Sequence, residues 1–234
     1  YRDLFAAAFP EAGSFAELTF GHAARAIAAF EREAFTAIDT PFDRYLAGDR
    51  AALDPAAKRG ALLFFGEAGC ADCHHGPLLT DYEHYALCVP QIGPGKVEPS
   101  EDRGLGLETG DPADDYRFRT PPLRNVALTG PWMHDGAFTT LEGAVVHHLD
   151  PFAGLAGYDV TQLPEPFRST LDTDPTRNAA RADALVPLLA DPPALDASQV
   201  ADLLAFLEAL TVPATLDLLD VIPSSVPSGL PVAD

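Results

Sequence analysis

The sequence predicts a mainly α fold that contains one long irregular stretch. Apolar residues recur at helical spacing in several segments, and residues that cap helices precede those segments. Between them, from Gly76 to Pro131, prolines and glycines cluster and the periodicity is weak. Irregular stretches of this kind are unusual in compact domains unless they serve a function. Little regular sheet is expected.

The composition limits the classes of protein to which the chain can belong. The chain has 234 residues, a net charge of -20 and no apolar run near the roughly 18 residues that a membrane span requires. The charge argues against nucleic-acid binding, which needs clustered Lys and Arg, and favours a basic protein partner. The first residues resemble neither the basic nor the apolar part of a leader, so we expect any secretion signal to be removed or to lie upstream.

Two helices are predicted in the first third of the chain. Residues 14–38 form the first, because Ser14 and Glu17 make a capping box and Pro41 ends the helix. The second begins at Asp54 as N-cap with Pro55 in its first turn, and runs through residue 65 straight into a cysteine motif.

Helical periodicity returns after the irregular stretch. Thr139 and Glu142 make another capping box, which opens a helix that holds His147 and His148. A helix over residues 177–189 follows, and Asp196 caps a last helix that runs to about residue 210. The tail beyond residue 213 is rich in Pro and Ser and is expected to lie extended.

Cys70, Cys73 and His74 form the motif that carries the chemistry. Cys-x-x-Cys-His is the spacing at which two thiols add to the vinyl groups of one haem while the adjacent imidazole binds the iron. A thioredoxin-like pair would need a βαβ setting and a zinc site a second pair of ligands, and the sequence supplies neither. We therefore predict one covalent haem c with His74 as the proximal ligand. The third cysteine, Cys88, lies between apolar residues and is predicted to be buried and inert rather than reactive or ligating.

The second axial ligand must come from a small set of side chains. The candidates are Met133, His22, His75, His84, His134, His147 and His148. At about 100° per residue, His148 lies near the middle of the apolar face of its helix, whereas His147 falls off that face. A histidine on such a face is often a hydrogen-bonded core residue, but a nearby haem iron favours ligation by His148.

Six blocks of the sequence resemble those of the bacterial dihaem cytochrome c peroxidases and of the related MauG-like proteins, which oxidise a partner protein. The blocks are residues 26–31, 41–49, 70–74, 118–129, 133–136 and 140–142. Members of this family have two haem domains, each with its own motif, and the 41–49 block normally lies between the two motifs. The resemblance therefore implies that this chain is the C-terminal haem half. A second haem and the peroxide pocket would lie upstream or on a separate chain.

The resemblance also implies a second axial ligand. In the family the C-terminal haem takes this ligand fourteen residues after the His of a His-Asp-Gly block, and that His is His134 here, which leads to His148. Met usually fills the position in the peroxidases and Tyr in the MauG-like proteins, so His148 is a departure. A bis-His haem is expected to have a lower potential than a His/Met haem. We expect His134 itself to fix its loop through hydrogen bonds.

Other sites follow from the resemblance alone. The family holds a structural calcium through backbone carbonyls that fall at Thr129 and Pro131, and a plain tight turn is the alternative. Arg124 and Arg119 lie in the segment that lines the haem in relatives, where a guanidinium matches a haem propionate, and surface ion pairs are the alternative. Trp132 is either an electron relay or a packing residue.

The resemblance further implies a domain division and a function. Residues 1–53 would form a helical segment that packs toward the N-terminal haem domain. Residues 54–212 would form a cytochrome c-like haem domain with long irregular loops, and residues 213–234 an extended tail.

The haem of this chain would pass electrons from a small donor, a cytochrome c or a cupredoxin, to the haem that reduces hydrogen peroxide to water. MauG-like oxidation of Trp or Tyr in a protein substrate is the runner-up, and a non-enzymatic electron-transfer cytochrome is the third reading. The resemblance places the protein in the periplasm, and relatives are often homodimers.

Overall fold

The computed structural model describes residues 1–95, 101–216 and 221–232. The chain forms two compact units, one of Tyr1–Ile38 with Val212–Asp234 and one of Asp39–Thr211. Residues 39–53, which the sequence analysis assigned to the N-terminal segment, belong to the second unit because Phe42 and Leu53 pack into its core. Residues 96–100 of the predicted irregular stretch, and 217–220 and 233–234 of the predicted tail, lie outside the described residues.

The described residues are mainly α, as predicted. The helices are α1 (Arg2–Ala8), α2 (Phe20–Ala34), α3 (Pro41–Leu46), α4 (Pro55–Phe64), α5 (Leu105–Thr109), α6 (Leu141–Leu149), α7 (Pro151–Ala156), α8 (Glu165–Arg168), α9 (Pro175–Asp183) and α10 (Ala197–Glu208). Two three-residue strands, β1 (His84–Ala86) and β2 (Arg117–Arg119), pair antiparallel with Tyr85 opposite Phe118. None of the helices in the described ranges is long and apolar enough to cross a membrane.

The helix predicted to begin at Ser14 begins later. Ser14 donates its hydroxyl hydrogen to the Glu17 side chain at 2.9 Å, and only a short 3-10 turn follows it. Leu18 is extended, with ψ at 133°, and interrupts the helical path. The N-cap of α2 is instead Thr19, whose backbone N–H donates to His22 Nδ1 at 3.0 Å. The prediction of the helix was therefore right in existence and wrong at both ends, because α2 stops at Ala34 rather than at Ile38.

The second unit is built on the pair α4 and α10. Asp54 caps α4 by accepting from the Ala57 N–H at 2.7 Å, and Asp196 caps α10, both as predicted. Asp196 also forms a capping box with Gln199, which the sequence analysis did not identify. The two helices approach so closely at Gly60 that an added Cβ would lie 1.8 Å from the Asp202 carbonyl oxygen. The apolar core on this pair comprises Phe64, Leu79, Leu123, Val126, Leu203, Phe206, Leu207 and Leu210.

Two further helix boundaries differ from the predictions. The hydroxyl that caps α6 belongs to Thr140, which accepts from the Gly143 N–H at 3.1 Å, so the predicted box of Thr139 and Glu142 does not form. The helix predicted over residues 177–189 is α9, which ends at Asp183, followed by a separate 3-10 turn that begins at Pro187. Proline lacks an N–H and cannot continue the helical hydrogen bonds.

Candidate haem site

The cysteine motif lies just beyond α4, not directly on its end as predicted. Gly69 adopts a left-handed conformation, with φ at 66°, and starts the 3-10 turn of Cys70–Asp72. Both thiols are partly buried, and burial raises the pKa of Cys70 to about 11 and also raises the pKa of Cys73. Reactive cysteines need a lowered pKa, so this environment disfavours a thioredoxin-like redox pair. The described part of the chain also contains no group of three or more His, Cys, Asp or Glu arranged to hold a metal ion.

His74 presents a neutral, oriented imidazole beside the two thiols. Its Nδ1 lies 3.0 Å from the carbonyl oxygen of Leu79, in the loop that turns back over the motif. The pKa of His74 is lowered to about 4, first by burial and next by the proximity of His148. A hydrogen bond at Nδ1 fixes the ring and leaves Nε2 as the iron-binding nitrogen, the arrangement that metal-bound histidines generally have.

His148 is brought to the same place by α6. The motif residue Cys70 and the α6 residues Leu141 and Val145 pack against one core cluster. Burial lowers the pKa of His148, and its Nδ1 lies 2.8 Å from the Ala144 carbonyl oxygen of its own helix. The structure thus brings together two neutral imidazoles, each engaged through Nδ1, next to two protonated thiols. This donor set fits a haem c, which Cys70 and Cys73 would hold covalently and for which His74 and His148 would supply nitrogen ligands.

His147 was predicted to fall off the apolar face of α6, and the structure shows that its side chain is nevertheless buried. His147 is 1% exposed, and its Nε2 lies 2.8 Å from the carbonyl oxygen of Leu87. Its ring packs at 4.9 Å from that of Phe138. The helix is covered on two sides, so the apolar face seen in the sequence is only one of its buried faces. Because Nε2 is hydrogen-bonded to the Leu87 carbonyl, His147 is a core residue rather than a competing ligand for the haem iron.

The other ligand candidates lie in different settings. His22 caps α2 in the first unit, and His75 is exposed. His84 is half-buried on β1, and Met133 packs against a second apolar cluster of residues 89–163. His134 stacks on Phe118, with ring centroids 3.4 Å apart, so an aromatic contact accompanies the hydrogen bonding expected of it.

Arg124 and Arg119 both have partners within the chain. Arg124 binds Asp43 with both terminal nitrogens, at 2.7 and 2.8 Å, and its Nε donates to the Pro77 carbonyl at 2.7 Å. The Arg124 guanidinium also lowers the pKa of Asp43 well below its usual range. Arg119 is exposed and its guanidinium lies 4.5 Å from the centre of the Tyr82 ring. Contact of either arginine with a haem propionate stays a prediction.

Thr129 and Pro131 lie in an exposed turn, and the Gly130–Pro131 peptide bond is cis. The Thr129 hydroxyl donates to the Val126 carbonyl at 3.3 Å. Trp132 donates its Nε1–H to the same carbonyl at 3.0 Å and packs against both apolar clusters of the unit. The packing role of Trp132 is therefore evident, and the calcium site stays a prediction.

Several contacts near the motif had no signal in the sequence. The Asp81 N–H donates to the Cys73 carbonyl at 2.9 Å, and the Tyr85 hydroxyl donates to the Asp81 carboxylate at 2.8 Å. Cys88 is buried, as predicted, and burial raises the pKa of its thiol to about 11. The contacts of Asp81 and Tyr85 depend on how β1 returns past the motif, which no local pattern encodes.

Fold and motif together define the class: a mainly α protein with a cytochrome c-like fold and a haem c attachment motif. The family model described as "Di-haem cytochrome c peroxidase" matches residues 1–51. The chain is 34% identical over 212 residues to the cytochrome-c peroxidase IdrP1 of Pseudomonas sp. (strain SCT), covering 80% of this chain and 48% of that protein. It is 41% identical over 145 residues to the cytochrome c551 peroxidase of Pseudomonas aeruginosa, covering 62% of this chain and 41% of that protein.

A solved structure is similar over a larger share of the chain. The crystal structure of a MauG-like protein associated with microbial copper homeostasis superimposes with a TM-score of 0.63 at 32% identity, covering 87% of this chain and 60% of that one. The chain belongs to the family of dihaem cytochrome c peroxidases and MauG-like proteins. It spans about half the length of the curated relatives that it matches, or somewhat less.

Proposed function

We propose that this chain is the electron-transfer haem half of a dihaem cytochrome c peroxidase, an enzyme that reduces hydrogen peroxide to water. The observation that carries the proposal is that the motif residue Cys70 and the helix of His148 pack against one core cluster, with His148 near enough to lower the pKa of His74. With two histidine ligands, this half has no open position for peroxide, so the reaction would occur on the other half. The electron donor would be a small cytochrome c or cupredoxin. The protein would lie in the periplasm, because thioether attachment of haem takes place outside the bacterial cytoplasm.

Each residue of the site would have a separate role in binding the haem. A bound haem c supplies one-electron redox chemistry. Cys70 and Cys73 would hold the porphyrin covalently, and the hydrogen bond between the His74 ring and the Leu79 carbonyl keeps that ring in one orientation. His148 would supply the second nitrogen ligand to the iron. Arg124 and Arg119 would contact the propionates, and the carbonyls of Thr129 and Pro131 would hold a calcium ion.

The axial assignment is tested by the His148→Met variant of the haem-loaded protein. Low-temperature EPR of the ferric wild type is expected to show a low-spin bis-His signal, which the variant replaces with a His/Met signal at a higher reduction potential. His75→Ala is the matched control, because His75 adjoins the motif and is exposed. An unchanged low-spin signal in His148→Met would exclude His148 as the ligand.

A MauG-like oxidase of Trp or Tyr residues in a partner protein is the second candidate. The position that Met usually fills in the peroxidases is His148 here, and the similarity to a MauG-like structure supports the same reading. Intact-mass measurement of the native protein gives the number of haems. Two haems, followed by peroxide turnover with reduced cytochrome, would support the peroxidase, and oxidation of a protein substrate without that turnover would support the oxidase. One haem and no second haem subunit would leave a plain electron-transfer cytochrome.

A further inference from the structure

His147 occupies a costly position that apolar packing alone does not explain. Its ring is 1% exposed, and Nδ1 is buried without a hydrogen-bond partner among the described residues. Gly154 of α7 packs directly against this nitrogen, because a Cβ added at Gly154 would lie only 2.2 Å from Nδ1. A buried acceptor without a partner is unfavourable, so phenylalanine would suit the site better if only packing mattered.

The other ring nitrogen supplies the reason for a histidine. Nε2 lies 2.8 Å from the carbonyl oxygen of Leu87. A carbonyl oxygen can only accept a hydrogen bond, so Nε2 carries the proton that it donates to Leu87. The hydrogen bond satisfies a backbone acceptor in a densely packed loop and joins α6 to that loop.

Leu87 belongs to the segment that is tied to the haem motif. It follows β1 directly, and Tyr85 of β1 donates its hydroxyl hydrogen to Asp81 at 2.8 Å. The Asp81 N–H in turn donates to the carbonyl of the motif residue Cys73 at 2.9 Å. His147 therefore connects the helix that carries one axial ligand with the strand that is attached to the other.

Adjacent residues of a helix point about 100° apart, so fixing the direction of one side chain fixes the direction of the next. The His147 and His148 rings are 6.5 Å apart with an angle of 85° between their planes. We propose that His147 is a positioning residue for His148: by tying α6 to Leu87, it sets the angle at which the His148 ring meets the haem iron. This inference rests on the proposed bis-His ligation.

The test measures how easily cyanide displaces His148 from the ferric haem of the loaded protein. His147→Phe keeps the ring volume and removes the donor, so cyanide affinity is expected to rise about tenfold, the equivalent of one lost hydrogen bond, with a change in the low-spin EPR signal. His147→Gln, whose amide can donate to Leu87, is expected to restore both toward wild type. Gly154→Ala, which displaces the His147 ring without removing it, is expected to act in the same direction as His147→Phe.

Leu163→Ala is the control for simple destabilisation, because Leu163 is buried in the same cluster as Phe138 and does not contribute to the Leu87 hydrogen bond. Wild-type cyanide affinity and EPR in both His147→Phe and Gly154→Ala would overturn the inference. So would an equal rise in affinity in Leu163→Ala. If the wild type itself lacks the bis-His signal, the axial assignment fails first and this inference fails with it, so the two failures are distinguishable.

Discussion

The pair α4 and α10 and the irregular segment of residues 76–139 surround the same site and are held together in opposite ways. The helices meet through apolar side chains and one backbone contact at Gly60. In its described part, the segment is fixed largely by polar side chains that bind backbone groups, such as Asp135, which accepts from the N–H groups of Ile92 and Ala137 at 3.1 Å each. The helices can supply a stable base for the motif, while the loops define the shape around it.

The two regions also differ in backbone strain. The described part of the segment has six non-glycine residues with positive φ: Leu79, Tyr82, Cys88, Tyr116, Asn125 and Met133. Such conformations are unfavourable for most side chains and persist only where the surrounding contacts enforce them. The segment therefore depends on a few buried polar anchors, and the loss of one anchor is expected to have a larger effect than the loss of a typical surface interaction.

The largest effect is expected from Asp172→Asn. The Asp172 carboxylate binds Arg177 with two contacts of 2.6 Å and Arg181 at 2.5 Å, and its backbone N–H donates to the Gln91 carbonyl of the segment. Its side chain is 6% exposed and that of Arg181 is 2% exposed. Removing the charge leaves a buried cation without its counter-ion, so the free energy of unfolding is expected to fall by about 3–5 kcal/mol in urea titrations.

The control for this prediction is Asp39→Asn. Asp39 is 72% exposed and lies 3.4 Å from Arg44, so its loss is expected to change stability by less than about 0.5 kcal/mol. Asn also tolerates the positive φ of 71° at this position. Equal losses in the two variants would contradict the view that buried polar anchors hold the segment.

The stability difference between the wild type and Asp172→Asn is expected to depend on pH. Hydrogen bonds from Arg177 and then Arg181 lower the pKa of Asp172 well below its usual value near 4. A carboxylate whose pKa is lower in the folded than in the unfolded protein contributes its full stabilisation at pH values above its unfolded-state pKa. That stabilisation is lost as the pH falls toward its folded-state pKa. The wild type should therefore exceed Asp172→Asn by a constant margin between about pH 5 and 7, and the margin should shrink below about pH 4.

A somewhat smaller effect is expected from Gly60→Ala in the helix pair. The added methyl group would lie 1.8 Å from the Asp202 carbonyl oxygen, a backbone atom that cannot move aside without shifting α10. Overpacking of this kind exceeds the roughly 1 kcal/mol that alanine gains in a helix, so a net loss of about 2 kcal/mol is expected in the same titrations. Leu62→Ala on the same helix removes a side chain that is 76% exposed and should change stability by less than about 0.5 kcal/mol. A Gly60→Ala protein as stable as wild type would show that the helices do not need this close approach.

The contrast between the regions also explains what the sequence could predict. Asp54, Asp196 and the cysteine motif act within a few residues of themselves, so their capping and attachment roles are visible as spacings. The hydrogen bond from His147 to Leu87 and the one from Asp172 to Gln91 join residues far apart in the chain. Their existence depends on the path of the irregular segment, which no helical or strand period encodes.

The smallest effect tests the point where the irregular segment ends and α6 begins. The sequence pattern favours Thr139 as the capping residue, because Glu142 follows it at the spacing of a capping box, whereas in the structure the Thr140 hydroxyl accepts from the Gly143 N–H. The two threonines are adjacent and chemically identical, so each controls for the other. Thr140→Ala is expected to lower stability by about 1 kcal/mol, the usual cost of losing an N-cap.

Thr139→Ala should have little effect, because the bond made by Thr139 uses its backbone N–H, which donates to the Gln162 side chain at 3.2 Å. The reverse order of the two variants would place the start of α6 one residue earlier. That shift would add one residue to the N-terminus of the helix and leave the directions of His147 and His148 unchanged, because Leu141 and Val145 pack on the core and fix the buried side of α6. The small stability difference between two neighbouring threonines therefore shows at which residue the loop ends and the helix that carries His148 begins.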